Sequence, residues 1–524
     1  MAPGGTVVSP SAHVPVPRFL VRHGWLIAIA LAYLYVFPYF PKIRSANELP
    51  RVYLTRAMAA EHRFAIDTGV KRYGATADVS PSGGHSYSNK APGSSMLALP
   101  AYAAVRAVSG EPSLTVAMWI CRVTAGIVPM IAFLWLLGGY LERFAPDPRV
   151  RRLVIVAYAF GSLAMTYSVL FYSHQLAAAC IGSAWILASD VADRRRGWRA
   201  MFAAGAVAGA APLVDYQAVF AALPIAVFVI VRVWRWPRRE LARAVGAATV
   251  GAAVPIAILL AYHAVCFGSP WATGYNASTT FAHFHQQGFL GITELRWEAF
   301  WGSLLRPDNG LFFLAPWLLL AIPGAVVLAR RDRGTAAVGI AVVVIYVLFI
   351  SSINFWRGGW GVGPRYVTAM LPFMLPMVAA CLQALVDRKL ALAIAASTIV
   401  VGVAIYALST ATFPYWPDVL SDGSAVRHPL FEVMFPLLGD GLVAPNVAMV
   451  IGVGGLASLV PYLVLVGGSV GVPLWRATGW RGVAIASGLA VAVLLAYAQL
   501  PRSAKSTRDR AYGFVRSAVQ ERQL

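Results

Sequence analysis

The sequence predicts an all-α polytopic membrane protein of about 13 transmembrane helices, with a large first outer loop that carries interfacial helices. Three observations lead there. Of 524 residues, 59% are hydrophobic and only 12% charged, too apolar for a soluble chain of this length. Apolar runs of about 18 to 22 residues recur along the chain, the length a bilayer core demands. The arginines gather in alternate short connections between those runs, which is how membrane topology is written.

The first run, Trp25–Phe40, follows a polar tail containing Arg18 and Arg22 and has no clear small-residue cleavage site. It reads as a retained helix, with residues 1–24 as a cytoplasmic tail. A second span at about 113–137 precedes Arg143, Arg149, Arg151 and Arg152. Spans at about 153–172 and 175–191 are joined by Tyr172-Ser173-His174, and Arg194, Arg195, Arg196 and Arg199 follow. Spans at about 200–215 and 217–231 meet at Asp215-Tyr216, before the arginines from Arg232 to Arg243. The alternation continues through spans at about 244–267, 311–329, 335–353, 367–386, 390–408, 447–467 and 482–500.

Six connections on the cytoplasmic side hold twenty lysines and arginines, against five arginines in the outer loops after the first. That bias orients the chain in a plasma (inner) membrane with its large loops outside or in the periplasm. The transmembrane domain covers 25–500, the first outer loop 41–112, and the tail 501–524 is basic although thirteen spans place it outside. The net charge of +21 is spent on topology, and no soluble basic domain exists to bind nucleic acid. Cys121, Cys180, Cys266 and Cys381 lack metal-ligand spacing and read as buried free thiols.

The first outer loop is where chemistry concentrates. Within it Ser94–Val108 is too short to span and reads as an interfacial helix, and Pro50–Arg63 as a second surface helix. Glu48 lies just beyond the first span, with Arg51 one helical turn on to keep it ionised as a general base. Lys90 precedes Pro92-Gly93, a rigid turn then a flexible one that aims the ammonium at the membrane face. A second cluster, Phe355 to Tyr366, contains four glycines that let backbone amides approach an anion, with Trp360, Arg365 and Tyr366 at hand.

Other ionisable groups sit at outer helix ends. His174 reads either as a capping surface histidine or as a sugar or phosphate contact, and Asp215 as a site-lining carboxylate. Asp67 and Asp78 read as solvated loop charges, Asp67 being the reserve base. His283-Phe284-His285 has no spacing that argues for a metal, and no metal or other cofactor is expected if cations clamp the phosphate.

Asn47-Glu48 with Arg51, then Lys90-Ala91-Pro92-Gly93, then Arg365-Tyr366 before Leu371-Pro372, resembles the GT-C superfamily of integral membrane glycosyltransferases. The likeness is to bacterial relatives of the protein O-mannosyltransferases and aminoarabinose transferases, in motif order over most of the chain. It implies a polyprenyl-phosphate sugar as donor, an envelope glycolipid, polysaccharide or protein as acceptor, and inverting transfer on the outer face. It implies Glu48 as general base, Arg51, Lys90 and Arg365 on the donor phosphate, and Asn47, His174, Asp215, Trp360 and Tyr366 as sugar or acceptor contacts. Three departures stand out: Asn47 replaces the first member of the family's acidic pair, Lys90-Ala91-Pro92 replaces Lys-Pro-Pro, and His174-Gln175 stands where relatives often carry an acid. The competing reading is a transporter or flippase, which would carry ionisable groups midway through spans and internal repeats.

Overall fold

The computed structural model describes residues 18–417 and 419–521, with side chains from residue 23 onward. Of the cytoplasmic tail expected at 1–24, residues 1–17 lie outside the described residues, while Arg18 and Arg22 fall in the first turns of the first helix. Helix α1 (Arg18–Tyr35) ends earlier than its apolar run, because Val36 pairs in a β-bridge with Asn446 and draws the chain out of the helix.

The first outer loop folds into α2 (Leu49–Glu61), α3 (Asp67–Tyr73), a hairpin of β1 (Val79–Ser82) and β2 (His85–Ser88), and α4 (Gly93–Ser109). Pro50 suits the first turn of α2, and His62 ends it in the left-handed region at φ 51°. The expectation that Pro50–Arg63 lies on the surface is wrong: every residue of α2 from Leu49 to Met58 is buried against α4 and the bundle. The hairpin is an unforeseen piece of β-structure. Its signal was Gly83-Gly84, whose φ angles of 54° and 80° supply the left-handed turn that a right-twisted hairpin needs.

The bundle begins with α5 (Leu114–Arg143), which widens to a π-turn over Val123–Ile127. Pro129 offers no amide to the preceding turn, and the helix accommodates the loss by slipping one residue. Gly126 at that turn meets the chain closely, since a Cβ there would lie 2.2 Å from the Ser168 carbonyl oxygen. The third expected span is two helices, α6 (Pro148–Phe160) and α7 (Leu163–Val169), bent by 55° at Gly161-Ser162. Ser162 caps α7 by accepting from the Ala164 amide, and the freed Gly161 carbonyl accepts from Trp317 Nε1 at 2.6 Å. Next come α8 (Ser173–Ala192), α9 (Trp198–Val214), α10 (Tyr216–Val233) and α11 (Arg238–Phe267).

Among the described residues eight helices are long and apolar enough to cross a membrane, nine if α6 and α7 form one span. The thirteen expected exceed this because His23–Tyr35, Trp198–Val214 and Pro316–Ala329 fall short in length and Gly455–Ala498, two helices joined at Gly479, is counted once. That last segment turns back at Gly479, where φ 77° and ψ 177° break the helix. Tyr462 near its start donates to Ala407, the Arg476 carbonyl meets Arg149, and the Tyr497 carbonyl meets His428. It therefore runs out from the first loop's face and returns to it.

The C-terminal helix Lys505–Gln520 confirms the return. Its Arg510 pairs with Asp422, Phe514 packs edge-on against Trp360, and the following Glu521 reaches Lys42 at 3.5 Å. The basic tail lies on the same face as the first outer loop.

Candidate functional site

The head of α2 brings Asn47, Glu48 and Arg51 into the interior, and their partners differ from those expected. Arg51 does not face Glu48. Its Nη1 donates to the Asn47 carbonyl at 2.6 Å and to Asn47 Oδ1, and its Nη2 to Ser173 Oγ at 2.8 Å.

Glu48 is instead held by Arg122 from the middle of α5. Nε reaches Oε1 at 2.9 Å and Nη2 reaches Oε2 at 3.1 Å. The Phe171 amide donates to Oε1 at 2.7 Å, and the Tyr415 hydroxyl donates to Oε2. Each carboxylate oxygen thus accepts two hydrogen bonds, and Glu48 is 0% exposed. The Arg122 guanidinium also lies over the rings of Phe37 and Tyr39, which replace part of its lost hydration. Sequence reasoning missed Arg122 and Tyr415. The signal for Arg122 was present, a charge inside an apolar run.

Lys90 and Arg365, far apart in sequence, line one cavity of about 260 Å³ with Asn47, Asp78, Tyr172, His285, Trp360 and Tyr366. Lys90 follows β2, and its ammonium pairs with Asp78 at 2.9 Å. Asp78 is buried, so its reading as a solvated loop charge fails, and Asn89 Nδ2 fixes its other oxygen at 3.0 Å. Burial pulls Lys90 below the usual lysine value of 10.5, with Asp78 opposing and Arg51 and Arg365 reinforcing. Gly93 is no flexible turn, because a Cβ there would press to 2.7 Å on the Leu213 carbonyl oxygen.

Arg365 opens the helix Arg365–Ala384, donates to the Gly358 carbonyl and lies over the rings of Tyr172 and Tyr366. Gly358, Gly359 and Gly363 all have positive φ, so the glycine loop curls around this guanidinium. His285 stacks on Tyr275 at 4.4 Å, and burial followed by the Lys90 charge lowers its pKa to about 4. It is neutral near pH 7.

A larger cavity of about 810 Å³ lies on the other side, lined by Glu48, Lys42, Tyr73 and the start of α5. Arg44, Ser45 and Tyr415 border both cavities. Glu48 and the Lys90–Arg365 pair therefore face different spaces across a thin wall.

His174 and Asp215 stand one layer behind. Ser173 and His174 form the first turn of α8 rather than a loop, and His174 is 5% exposed, which removes its reading as a capping surface histidine. Asp215 Oδ2 lies 2.7 Å from His174 Nδ1 and accepts from Ser173 Oγ at 3.0 Å. His174 packs against Tyr366 and Tyr172, so the pair steadies the cavity wall without touching its space. Asp67 is tied to His85 and to the Ser86 amide at the turn end of the hairpin, away from both cavities. Among the described residues no group of three or more His, Cys, Asp or Glu is placed to hold a metal ion, and all four cysteines are free.

No protein-family model and no curated protein matches the chain. Among solved structures it is similar to ArnT from Cupriavidus metallidurans bound to undecaprenyl phosphate, at 14% identity and a TM-score of 0.44, covering 91% of this chain and 77% of that one. The apo state of the same ArnT gives 14% identity, a TM-score of 0.44 and coverage of 91% and 75%. The apo oligosaccharyltransferase of Archaeoglobus fulgidus gives 12% identity and a TM-score of 0.45, covering 74% of this chain and 56% of that one.

Proposed function

We propose that this protein is a membrane glycosyltransferase, moving a sugar from a polyprenyl-phosphate donor to an envelope acceptor on the outer face of the plasma membrane. The observation that supports it most is the convergence of Lys90 and Arg365 on one cavity beside the wall that carries Glu48. Two cations, one just after the hairpin of the first outer loop and one at the start of a membrane helix, suit a phosphate at headgroup level. In this reading they stabilise the charge that gathers on the phosphate as the bond from anomeric carbon to phosphate oxygen breaks. No metal is needed for that role.

The acceptor enters the larger cavity. Its hydroxyl attacks the anomeric carbon from the side opposite the phosphate, so configuration inverts. Glu48 already accepts four hydrogen bonds, and Tyr415 supplies the one that opens on both cavities. The acceptor proton passes to the Tyr415 oxygen while Tyr415 passes its own to Glu48. Burial, then the Glu48 charge, pushes the Tyr415 pKa up, so the two transfers occur together rather than through a free phenolate.

The test is to incubate purified protein in detergent with a panel of polyprenyl-phosphate hexoses and pentoses and to follow release or transfer of the sugar. Sugar transfer that disappears in K90A and R365A supports the reading. A lipid moved between leaflets of a proteoliposome, with its sugar bond intact, establishes the transporter reading instead, which Arg122 inside a span favours.

A further inference from the structure

At the end of the bundle remote from both cavities, a pocket of about 430 Å³ is lined by Arg194, Arg195, Arg196 and Arg243 with Trp198, Trp236 and one carboxylate, Glu240. Helix α8 connects the two ends, starting at Ser173 beside the candidate site and finishing at Ala192 beside this pocket. Its 20 residues span about 30 Å, the thickness of the hydrocarbon core. The pocket therefore sits at the opposite membrane surface, the one that the arginine bias marks as cytoplasmic.

Two of the four arginines that line the pocket are matched by carboxylates, as are others near it. Arg143 pairs with Asp190 and Asp193, Arg232 with Asp193 and Asp332, Arg196 with Asp190, and Arg194 with Glu240. Arg195 and Arg243 meet no carboxylate among the described residues. Arg243 lies over the Trp198 ring and Arg194 over the Trp236 ring at 3.6 Å, so the two indoles hold guanidinium groups on the pocket walls. Arg194 adopts φ 60°, a left-handed turn uncommon for a non-glycine residue, which swings the arginine run back over α9 and α11. At the end of α10, two residues before Trp236 of the pocket wall, Ile230, Val231 and Trp234 are exposed and line a second hollow together with Arg232 and Arg235.

From this arrangement we infer a binding site for the phosphate ester of an anionic phospholipid of the inner leaflet. The two unmatched guanidiniums take the phosphate oxygens, the indoles sit at headgroup depth, and an acyl chain runs along Ile230 and Val231. The inference is independent of the proposed sugar transfer.

The shared chemistry is a phosphate ester, and the experiment separates its two sources. The full chain in detergent is mixed with phosphatidylglycerol, with phosphatidylcholine, or with glycerol 3-phosphate, and retained ligand is read by native mass spectrometry. Phosphatidylglycerol should be retained over phosphatidylcholine, and each of R195A and R243A should weaken retention about fivefold. E240Q, which releases Arg194, should strengthen it and provides a reading even if an arginine variant misfolds. R388A/K389A, in a different connection, should change nothing. Equal retention of the two lipids, or R195A/R243A and E240Q both without effect, overturns the site. Competition by glycerol 3-phosphate as strong as by the lipid would make it a soluble phosphate site and overturn the lipid assignment.

Discussion

Arg122 and Glu48 grip each other in a two-pronged ion pair between α5 and the head of α2, with side chains 1% and 0% exposed. This pair ties the first outer loop to the bundle. It also sets the height at which the proposed base stands, because the π-turn that follows Arg122 brings the chain after α7, and with it the Phe171 amide, against the same carboxylate.

Glu48→Gln should abolish sugar transfer, a general-base loss being worth about 10²–10⁴ in rate. Because Arg122 would be left buried without its counter-charge, the variant should also lose about 3–5 kcal/mol of stability. E48Q/R122Q should melt closer to the wild type than either single variant while remaining inactive. Near-native transfer by E48Q would remove Glu48 from the chemistry.

Tyr415→Phe separates the relay from the scaffold. The ring is retained, but the hydroxyl's bond to Glu48 and the one it accepts from Arg122 Nη2 are both lost, so stability should fall by about 1.5–3 kcal/mol. Turnover should fall with little change in donor KM. Unchanged turnover would mean that the acceptor reaches Glu48 without Tyr415.

Lys90→Ala and Arg365→Ala should each weaken donor binding by about 1.5–3 kcal/mol. Since both face one cavity, the double variant should cost less than the sum. Strict additivity in a lipid-phosphate binding assay would show that the two do not share a ligand.

The Lys90 shift sets a pH dependence. With its pKa drawn below 10.5 by burial, the ammonium loses its proton earlier than an ordinary lysine as pH rises. The charged form is the one that binds phosphate, so affinity should be full at low pH and decline on the alkaline side. Folding responds with the opposite sign: the unfolded chain binds the extra proton, so stability rises with pH between the folded value and 10.5. Lys90→Arg should remove the alkaline decline in binding, and a decline that persists in that variant would assign it to another group.

Labelling can test the fold's sidedness. Gly361 and His174 are buried and poor places for a reporter, whereas Ser421, Ser506 and Arg388 are exposed. In a cysteine-free background S421C and S506C should react together with an impermeant reagent added to intact cells, and R388C only after the membrane is opened. Reaction of R388C first would invert the chain.

Much of the fold was legible because hydrophobic runs of membrane length and the arginine bias are local signals that need no tertiary information. The breaks were less so. The bend between α6 and α7 depends on Trp317 arriving to satisfy the Gly161 carbonyl, and the early end of α1 on Asn446 arriving from the far end of the chain.

By itself the sequence determined that this chain is a helical membrane protein, and it placed the candidate residues Glu48, Arg51, Lys90 and Arg365 in the first large loop and the glycine loop. Tertiary structure alone decided who faces whom. A carboxylate one helical turn from an arginine has no obligation to pair with it. Arg51 was claimed by Asn47 and Ser173, and Glu48 by Arg122, Tyr415 and the Phe171 amide. Buried charges take whichever hydrogen-bond partners packing delivers within about 3 Å, since leaving any of them unpaired costs more than local proximity can return.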